Sequence, residues 1–269
     1  MSEIRRPSVP EPPQRERIAL TRKVSSAMAR CELTHLQRSV FDLGLAREQH
    51  RAYEQALRDL GWRVESLPEE PALPDSVFVE DTAIVLDEVA VITRPGAASR
   101  RPETASIATV LGRYRDLVRI ESPGTLDGGD VLRVERSVYV GTSSRSNSSG
   151  IEQLRALLLP FGYRVLPVPV QGCLHLKSAV TQVASGELLI NSRYVERRHF
   201  PGMRFIEVDE AEPSAANALM IGADVIYPRS CPRTAEILRR RGVRVHTVAM
   251  SETEKAEGAV TCCSLLLSP

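Results

Sequence analysis

The chain has 269 residues, 42% hydrophobic and 26% charged, with 35 basic and 34 acidic side chains and a formal net charge of +1. That length can bury a sizeable core as one large domain or two small ones. The near-neutral balance argues against a partner chosen by bulk charge, whether nucleic acid or an anionic membrane surface. No apolar run approaches the roughly 20 residues of a membrane helix.

In chain order, MSEIRRPSVPEPPQRER lacks the apolar stretch of a secretory signal. Its proline and charge read as a disordered tail over residues 1–17, leaving 18–269 as one domain. Five cysteines follow: Cys31, Cys173, Cys231, Cys262 and Cys263. An odd, scattered set without C-x-x-C is a poor disulfide framework, so a reducing cytoplasm is the simpler location. Taken singly, each cysteine also reads as a small buried hydrophobe.

A helix-to-strand pattern then recurs. LAREQHRAYEQALRDLGWRVESLP predicts a helix stopped at Gly61 and a strand near Trp62–Leu67. The same plan predicts strands near Leu117–Glu121, Arg164–Val168 and Val243–Val248. Arg204–Val208 is a matching strand with no obvious helix before it. The helices carry apolar spacings of three and four, such as Ala52, Ala56 and Leu60, or Leu154, Leu157 and Leu158. Each strand is followed by a polar break and two more apolar segments, joined by turn pairs at Asp87-Glu88, Glu135-Arg136, Ser185-Gly186 and Gly222-Ala223. The last unit has one such segment, AVTCCSLLLSP, so the N-terminus is expected to supply its missing part. This reads as five units of roughly forty to fifty residues, a period typical of repeat architectures. Closing them into a ring would remove exposed sheet edges. An open α/β sheet is the competing architecture, and the alternation alone does not choose between them.

The repeat also aligns the polar breaks. They hold Asp75, Glu80 and Asp81, then Asp127 and Asp130, then His175, then Asn217, then Cys262. Units around a common axis would bring these side chains into one pocket. Each has a plainer reading: His175 as a structural histidine, Asp127 as a turn residue before a strand, Asp75 to Asp81 as a charged strand boundary. Gly128 and Gly129, after Asp127, would allow close backbone approach and positive φ. Cysteine, histidine and carboxylates permit covalent catalysis by a thiolate with a general acid/base, or a metal site. Four or five acids in one pocket call for a cation, and a planar guanidinium suits paired carboxylates.

LPDSVFVEDTA, ITRPGAASRR, TLDGGDVL, LHLKS and the terminal TCCSLL together resemble the dimethylarginine dimethylaminohydrolase family of the guanidine-modifying superfamily. The likeness runs from about Cys31 to Leu267, with the motifs in order. It implies a five-bladed α/β propeller of ββαβ units and a single catalytic domain. It implies Cys262 as nucleophile, His175 as general acid/base and Asp127 as the acid that orients His175. Asp75, Glu80 and Asp81 match the region holding a substrate guanidinium, and Arg100 and Arg145 the residues gripping its α-carboxylate. Leu33 matches a lid-loop residue offering backbone contacts. Cys263 falls on a variable position and is expected to pack. Ala259 departs from the family pattern, where a glycine is common. The implied reaction converts Nω-methylated arginine to citrulline and a methylamine, with no cofactor or required metal; zinc at Cys262 and His175 would be inhibitory. The implied partner is a small molecule, with a homodimer left open. The rivals are an arginine deiminase, another guanidino hydrolase or amidinotransferase, and a non-catalytic binder of arginine-like ligands, for which a thiol would serve no purpose.

Overall fold

The computed structural model describes residues 16–268. Most of the tail expected over 1–17 lies outside the described residues. In chain order the elements are β1 (Ile18–Arg22), α1 (Leu43–Asp59), β2 (Arg63–Leu67), β3 (Ala83–Val85), β4 (Val89–Ile92), α2 (Glu103–Leu111) and β5 (Asp116–Arg119). They continue with β6 (Val131–Val134), β7 (Ser137–Thr142), α3 (Ser148–Leu158), β8 (Arg164–Pro169), α4 (Leu176–Ala179), β9 (Val180–Ala184), β10 (Glu187–Ile190) and β11 (Arg204–Glu207). The last are β12 (Leu219–Ile221), β13 (Asp224–Pro228), α5 (Pro232–Arg240), β14 (Arg244–Val248), α6 (Ser251–Glu254) and β15 (Leu265–Leu267).

Among the described residues these strands make five sheets of three. Each sheet pairs two strands antiparallel and adds a third parallel to the second. A parallel partner needs a crossover, and α1, α2, α3 and α5 provide it in four of the sheets. The β10–β11 crossover instead holds only a 3-10 turn at Arg197–His199. The hairpins turn at the four dipeptides expected from the sequence. The final unit closes as anticipated: β15 pairs antiparallel with β1, Ile18 opposite Leu267. The result is a pseudo-fivefold α/β propeller. Its inner strands are the first of each unit, with β15 against β3, β6 against β9 and β9 against β12.

Packing follows the amphipathic faces. Asp42 caps α1, its Oδ1 accepting from the Leu45 N–H at 2.9 Å. The helix buries Ala46, Tyr53 and Leu57 in a cluster with Met28, Trp62, Val260 and Cys263. Of the stripe expected at Ala52, Ala56 and Leu60, Ala56 and Leu60 pack half-buried against this cluster, whereas Ala52 is exposed and the fully buried positions are Tyr53 and Leu57. Area decides this: burying Leu57 contributes about 1.5–3 kcal/mol, far more than a methyl group. Gly61 ends the helix at φ +83°, a left-handed turn suited to glycine.

Candidate active site

The segments leading into the five inner strands gather at one end of the axis. Asp81 sits on the 3-10 turn Val79–Thr82 that runs into β3. Asp127 precedes the 3-10 turn Gly128–Asp130 that runs into β6. His175 immediately precedes α4, which leads into β9. Asn217 stands two residues before β12, and Cys262 three before β15. A pocket of about 20 Å3 is lined by Asp75, Asp81, Arg100, Arg145, His175 and Cys262, together with residues of the loops around them. Gly128 and Gly129 make this convergence sterically feasible. A Cβ on Gly129 would fall 2.6 Å from His175 Nδ1, and one on Gly128 would fall 1.9 Å from the Glu80 carbonyl oxygen. Neither has positive φ, so close approach alone is what these glycines provide.

His175 Nε2 lies 3.1 Å from Asp127 Oδ2, and its Nδ1 lies 4.0 Å from Asp81 Oδ1. Asp127 is itself fixed, its Oδ1 accepting from the Gly96 N–H at 2.8 Å. Asp130 braces the same loop: Oδ1 accepts from the Leu176 N–H at 3.0 Å, and Oδ2 from the hydroxyls of Ser143 and Ser146, each at 2.6 Å. Burial alone would lower the His175 pKa, but the surrounding carboxylates Asp81, Asp127 and Asp130 outweigh it and push it up to about 9. Burial would likewise raise that of Asp81, yet the charges of His175 and Arg100 hold it down to about 2. For Asp75 burial wins over Arg100, and its pKa is raised. The Cys262 thiol is raised by burial, with Glu80 and Asp81 adding to the effect. At neutral pH the site therefore presents a thiol, an imidazolium and the carboxylate of Asp81. Such an arrangement places a thiol and a protonated imidazole beside a carboxylate in one pocket.

Comparison with known proteins shows the family of the chain. The family model described as N,N dimethylarginine dimethylhydrolase, eukaryotic, matches residues 36–199. The N(G),N(G)-dimethylarginine dimethylaminohydrolase of Streptomyces coelicolor is 44% identical over 254 residues, covering 93% of this chain and 96% of that protein. The chain belongs to the dimethylarginine dimethylaminohydrolase family. A solved cysteine-to-serine variant of the Pseudomonas aeruginosa family member, complexed with citrulline, superposes with a TM-score of 0.89 at 36% identity, covering 93% of this chain and 98% of that one. A histidine-to-glycine variant of a dimethylarginine dimethylaminohydrolase, an adduct with S-methyl-L-thiocitrulline, gives 0.88 at 36% identity, covering 93% and 99%.

Not every residue matched to the family's site faces this pocket. Glu80 does not: its carboxylate is ion-paired with Lys177 Nζ and accepts from the Thr261 hydroxyl at 2.7 Å. Arg100 lines the pocket, but its guanidinium is already engaged. Nη1 donates to Asp81 Oδ2 at 2.6 Å, Nη2 to Glu103 Oε2 at 2.9 Å, and Nη2 also to the Phe78 carbonyl at 3.2 Å. Arg145 is freer, with one donation to the Thr34 hydroxyl at 3.0 Å and an approach of 4.0 Å to Asp127. The Leu33 side chain packs against the α1 cluster, while its neighbour Glu32 lines the pocket. Cys263 is fully buried in that cluster, so the adjacent thiols do face different surroundings. Ala259 fits without distortion: its N–H donates to Cys262 Sγ at 3.3 Å.

Sequence reasoning passed over Glu257, Lys177 and Thr261. Lys177 was visible in LHLKS, two residues after His175, and Glu257 stands five before Cys262. Asn217 grips the nucleophile loop, its Oδ1 accepting from the Thr261 N–H at 3.1 Å and its Nδ2 donating to the Thr261 hydroxyl at 3.0 Å. Among the described residues, Asp81, Asp127 and His175 each offer a ligand atom within 4.8 Å of the others, as a divalent cation would require. Cys262, expected as zinc's sulfur ligand, is outside that group.

Proposed function

We propose that the chain hydrolyses Nω-methylated L-arginine to L-citrulline and di- or monomethylamine through a covalent thiouronium on Cys262. The observation that carries this reading is one pocket lined by Cys262, by His175, which pairs with the buried Asp127 at 3.1 Å, and by Asp75 and Asp81 as cation-holding acids. Asp75 and Asp81 orient the guanidinium and offset its charge where water is scarce. Arg145 holds the α-carboxylate, which fixes the distance from that anchor to the reacting carbon. Arg100 acts mainly through Asp81, to which it is bonded at 2.6 Å.

The charge states set the order of events. In the free protein Cys262 is held as a thiol by burial and by neighbouring acids. A guanidinium bound beside it favours the thiolate, so nucleophile and substrate arrive together. The sulfur attacks the guanidinium carbon and an S–C bond forms. His175, protonated up to about pH 9, gives its proton to the departing dimethylamine as the C–N bond breaks. The product on the enzyme is an S-alkylthiouronium. Neutral His175 then takes a proton from water, the hydroxide adds to the same carbon, and the C–S bond breaks to release citrulline. Asp127 keeps the ring oriented and stabilises its charged form.

Each step draws on side chains of this chain, so turnover is expected to survive a chelator. Five free cysteines are in keeping with a reducing cytoplasm as its location. A side-by-side assay with asymmetric dimethylarginine, monomethylarginine and arginine tests the proposal. Citrulline with methylamines, and little ammonia from arginine, is the expected result. Ammonia from arginine as the main product would place the chain with the deiminases instead.

A further inference from the structure

Four of the five aligned polar breaks supply the proposed reaction, with Asp81, Asp127, His175 and Cys262. The fourth break holds Asn217, which does not line the catalytic pocket. Yet Asn217 is only 4% exposed, and a buried amide carries two donors and an acceptor that need partners. Those partners belong to the segments that carry the proton donor and the nucleophile.

Asn217 Nδ2 donates to the Lys177 carbonyl at 3.1 Å. Lys177 lies in α4, two residues after His175, and the carbonyls of so short a helix lack partners within it. Asn217 Oδ1 accepts from the N–H of Thr261, the residue directly before Cys262, at 3.1 Å. Nδ2 also donates to the Thr261 hydroxyl at 3.0 Å, and that hydroxyl donates to the Glu80 carboxylate at 2.7 Å. One side chain thus spans from the His175 helix to the Cys262 loop. The two backbone groups settle which end of the amide is which, since a carbonyl must meet the NH2 group and an N–H the oxygen. An ionised carboxylate in its place would have no donor for Lys177, and an alkyl group would serve neither segment.

The backbone of Asn217 is itself held. Thr181, in β9, is 2% exposed; its hydroxyl donates to the Ala216 carbonyl at 2.6 Å and accepts from the Ala218 N–H at 3.0 Å. Both neighbours of Asn217 are therefore fixed by the strand that follows α4. On its other side the nucleophile loop is tied to the acids, the Cys262 carbonyl accepting from the Glu80 N–H at 3.1 Å. Cys262 is thus located against the Glu80–Asp81 turn by its own backbone, and against His175 by Asn217.

We infer that Asn217 is a positioning residue: it holds the helix that follows His175 and the loop that carries Cys262 at a fixed separation, so that proton donor and nucleophile reach the same carbon. The inference rests on the thiol-hydrolase reading of the pocket. Without the amide, thiol and imidazolium both remain, but their spacing is no longer set. A misplacement of about 1 Å costs on the order of 10^2-fold in rate.

Steady-state kinetics, acid-quenched single turnover and amide hydrogen exchange test this in wild type, Asn217→Ala and Thr181→Val. In Asn217→Ala, kcat and the rate of adduct formation on Cys262 are expected to fall about 10^2-fold. KM for dimethylarginine should stay within about threefold of wild type, because Asp75, Asp81 and Arg145 are untouched. The alkaline limb of kcat/KM should keep its position, because the carboxylates around His175 are untouched as well. In the ligand-free protein the Thr261 N–H should exchange about tenfold faster or more, with the five sheets still protected. Thr181→Val keeps Asn217 and both catalytic side chains, and should lower kcat by about threefold to tenfold at unchanged KM. A lowered Tm with wild-type kcat in Asn217→Ala would overturn the inference, the mark of a purely structural role. So would a limb displaced by about one unit or more, since Asn217 would then act on the charge of His175 and not on its place. Should Asn217→Ala fail to fold, Thr181→Val decides, and unchanged kcat there overturns the inference. If wild type turns over no methylated arginine, the reaction reading falls and exchange at Thr261 judges the tie by itself: faster in Asn217→Ala, it stands; unchanged, it falls too.

Discussion

The five inner strands border two spaces of unlike character. At one end lies the pocket of about 20 Å3 between Asp75, Asp81, His175 and Cys262, crowded with charge. Along the strands runs a cavity of about 450 Å3, from Glu80 and Lys177 to the hairpin turns at Asp87 and Glu135. Its walls are mixed, with Ile84, Leu132, Leu219 and Leu265 beside Thr181, Gln182 and Ser264. Glu80, Lys177 and Thr261 lie where the two approach each other. Neighbours in sequence divide between them: Asp81 faces His175 and Arg100, whereas Glu80 faces Lys177. The roomier space is not where the proposed chemistry takes place. Charge, not volume, marks the proposed working end: Glu32, Asp75, Asp81 and Glu257 line the small pocket beside Arg100, Arg145 and His175.

That contrast can be broken most severely at the paired cysteines. Cys262→Ser is expected to lower citrulline formation on the order of 10^4-fold, as loss of a covalent nucleophile does. Cys263→Ala should keep most of the activity and lose stability, since Cys263 is fully buried. The opposite pattern would exchange their roles. Next come the adjacent acids. Asp81→Asn is expected to cost about 10^2–10^3-fold in kcat/KM, because it removes charge at the guanidinium. Glu80→Gln should instead destabilise by about 3 kcal/mol, since it leaves Lys177 half of a buried pair. Its kcat/KM should change less than that of Asp81→Asn. Kinetics and denaturant unfolding on both variants decide this, and a larger kinetic loss at Glu80 would place it against the substrate.

A pH profile sharpens the working end further. His175 carries its proton below about pH 9, so kcat/KM should fall on the alkaline side as that proton is lost. Asp127→Asn removes a carboxylate that favours the charged ring, so this limb should move to lower pH by on the order of one unit. A limb that stays in place would detach Asp127 from the histidine's titration. The smallest effect belongs to the far rim. Arg133 and Asp87 pair at 2.7 Å near the hairpin turns, Arg133 half-buried and Asp87 exposed. Arg133→Ala should change stability by about 1 kcal/mol or less and leave kcat/KM unaltered.

Much of the fold was legible because its signals are local. Gly61 stops a helix by its own backbone preference, and pairs such as Glu135-Arg136 turn a hairpin within a few residues. The missing helix before Arg204 was equally visible as the absence of a periodic face. Alignment of five polar breaks then carried the site, since repeated units put equivalent positions around one axis. What escaped depends on packing between distant segments. Whether Ala52 or Tyr53 faces inward is decided by what α1 rests on, not by spacing alone. Glu80 and Asp81 are indistinguishable as letters, and only Lys177, 97 positions away, separates their roles. The fastening of Thr34 by Glu257 spans 223 positions, and no pattern within either segment announces it. Gly128 and Gly129 were read correctly as places of close approach, but the positive φ also expected there is absent.

The most direct measurement of the thiol chemistry is to trap the intermediate. The protein would be mixed with excess asymmetric dimethylarginine, quenched in acid during turnover, digested and mapped by mass spectrometry. The expected result is an adduct of arginine minus ammonia on the peptide containing Cys262, localised to that residue and absent in Cys262→Ser. Turnover without any adduct, or an adduct on Cys263, Cys31 or Cys173 that persists in Cys262→Ser, would contradict the assignment of Cys262 as the nucleophile.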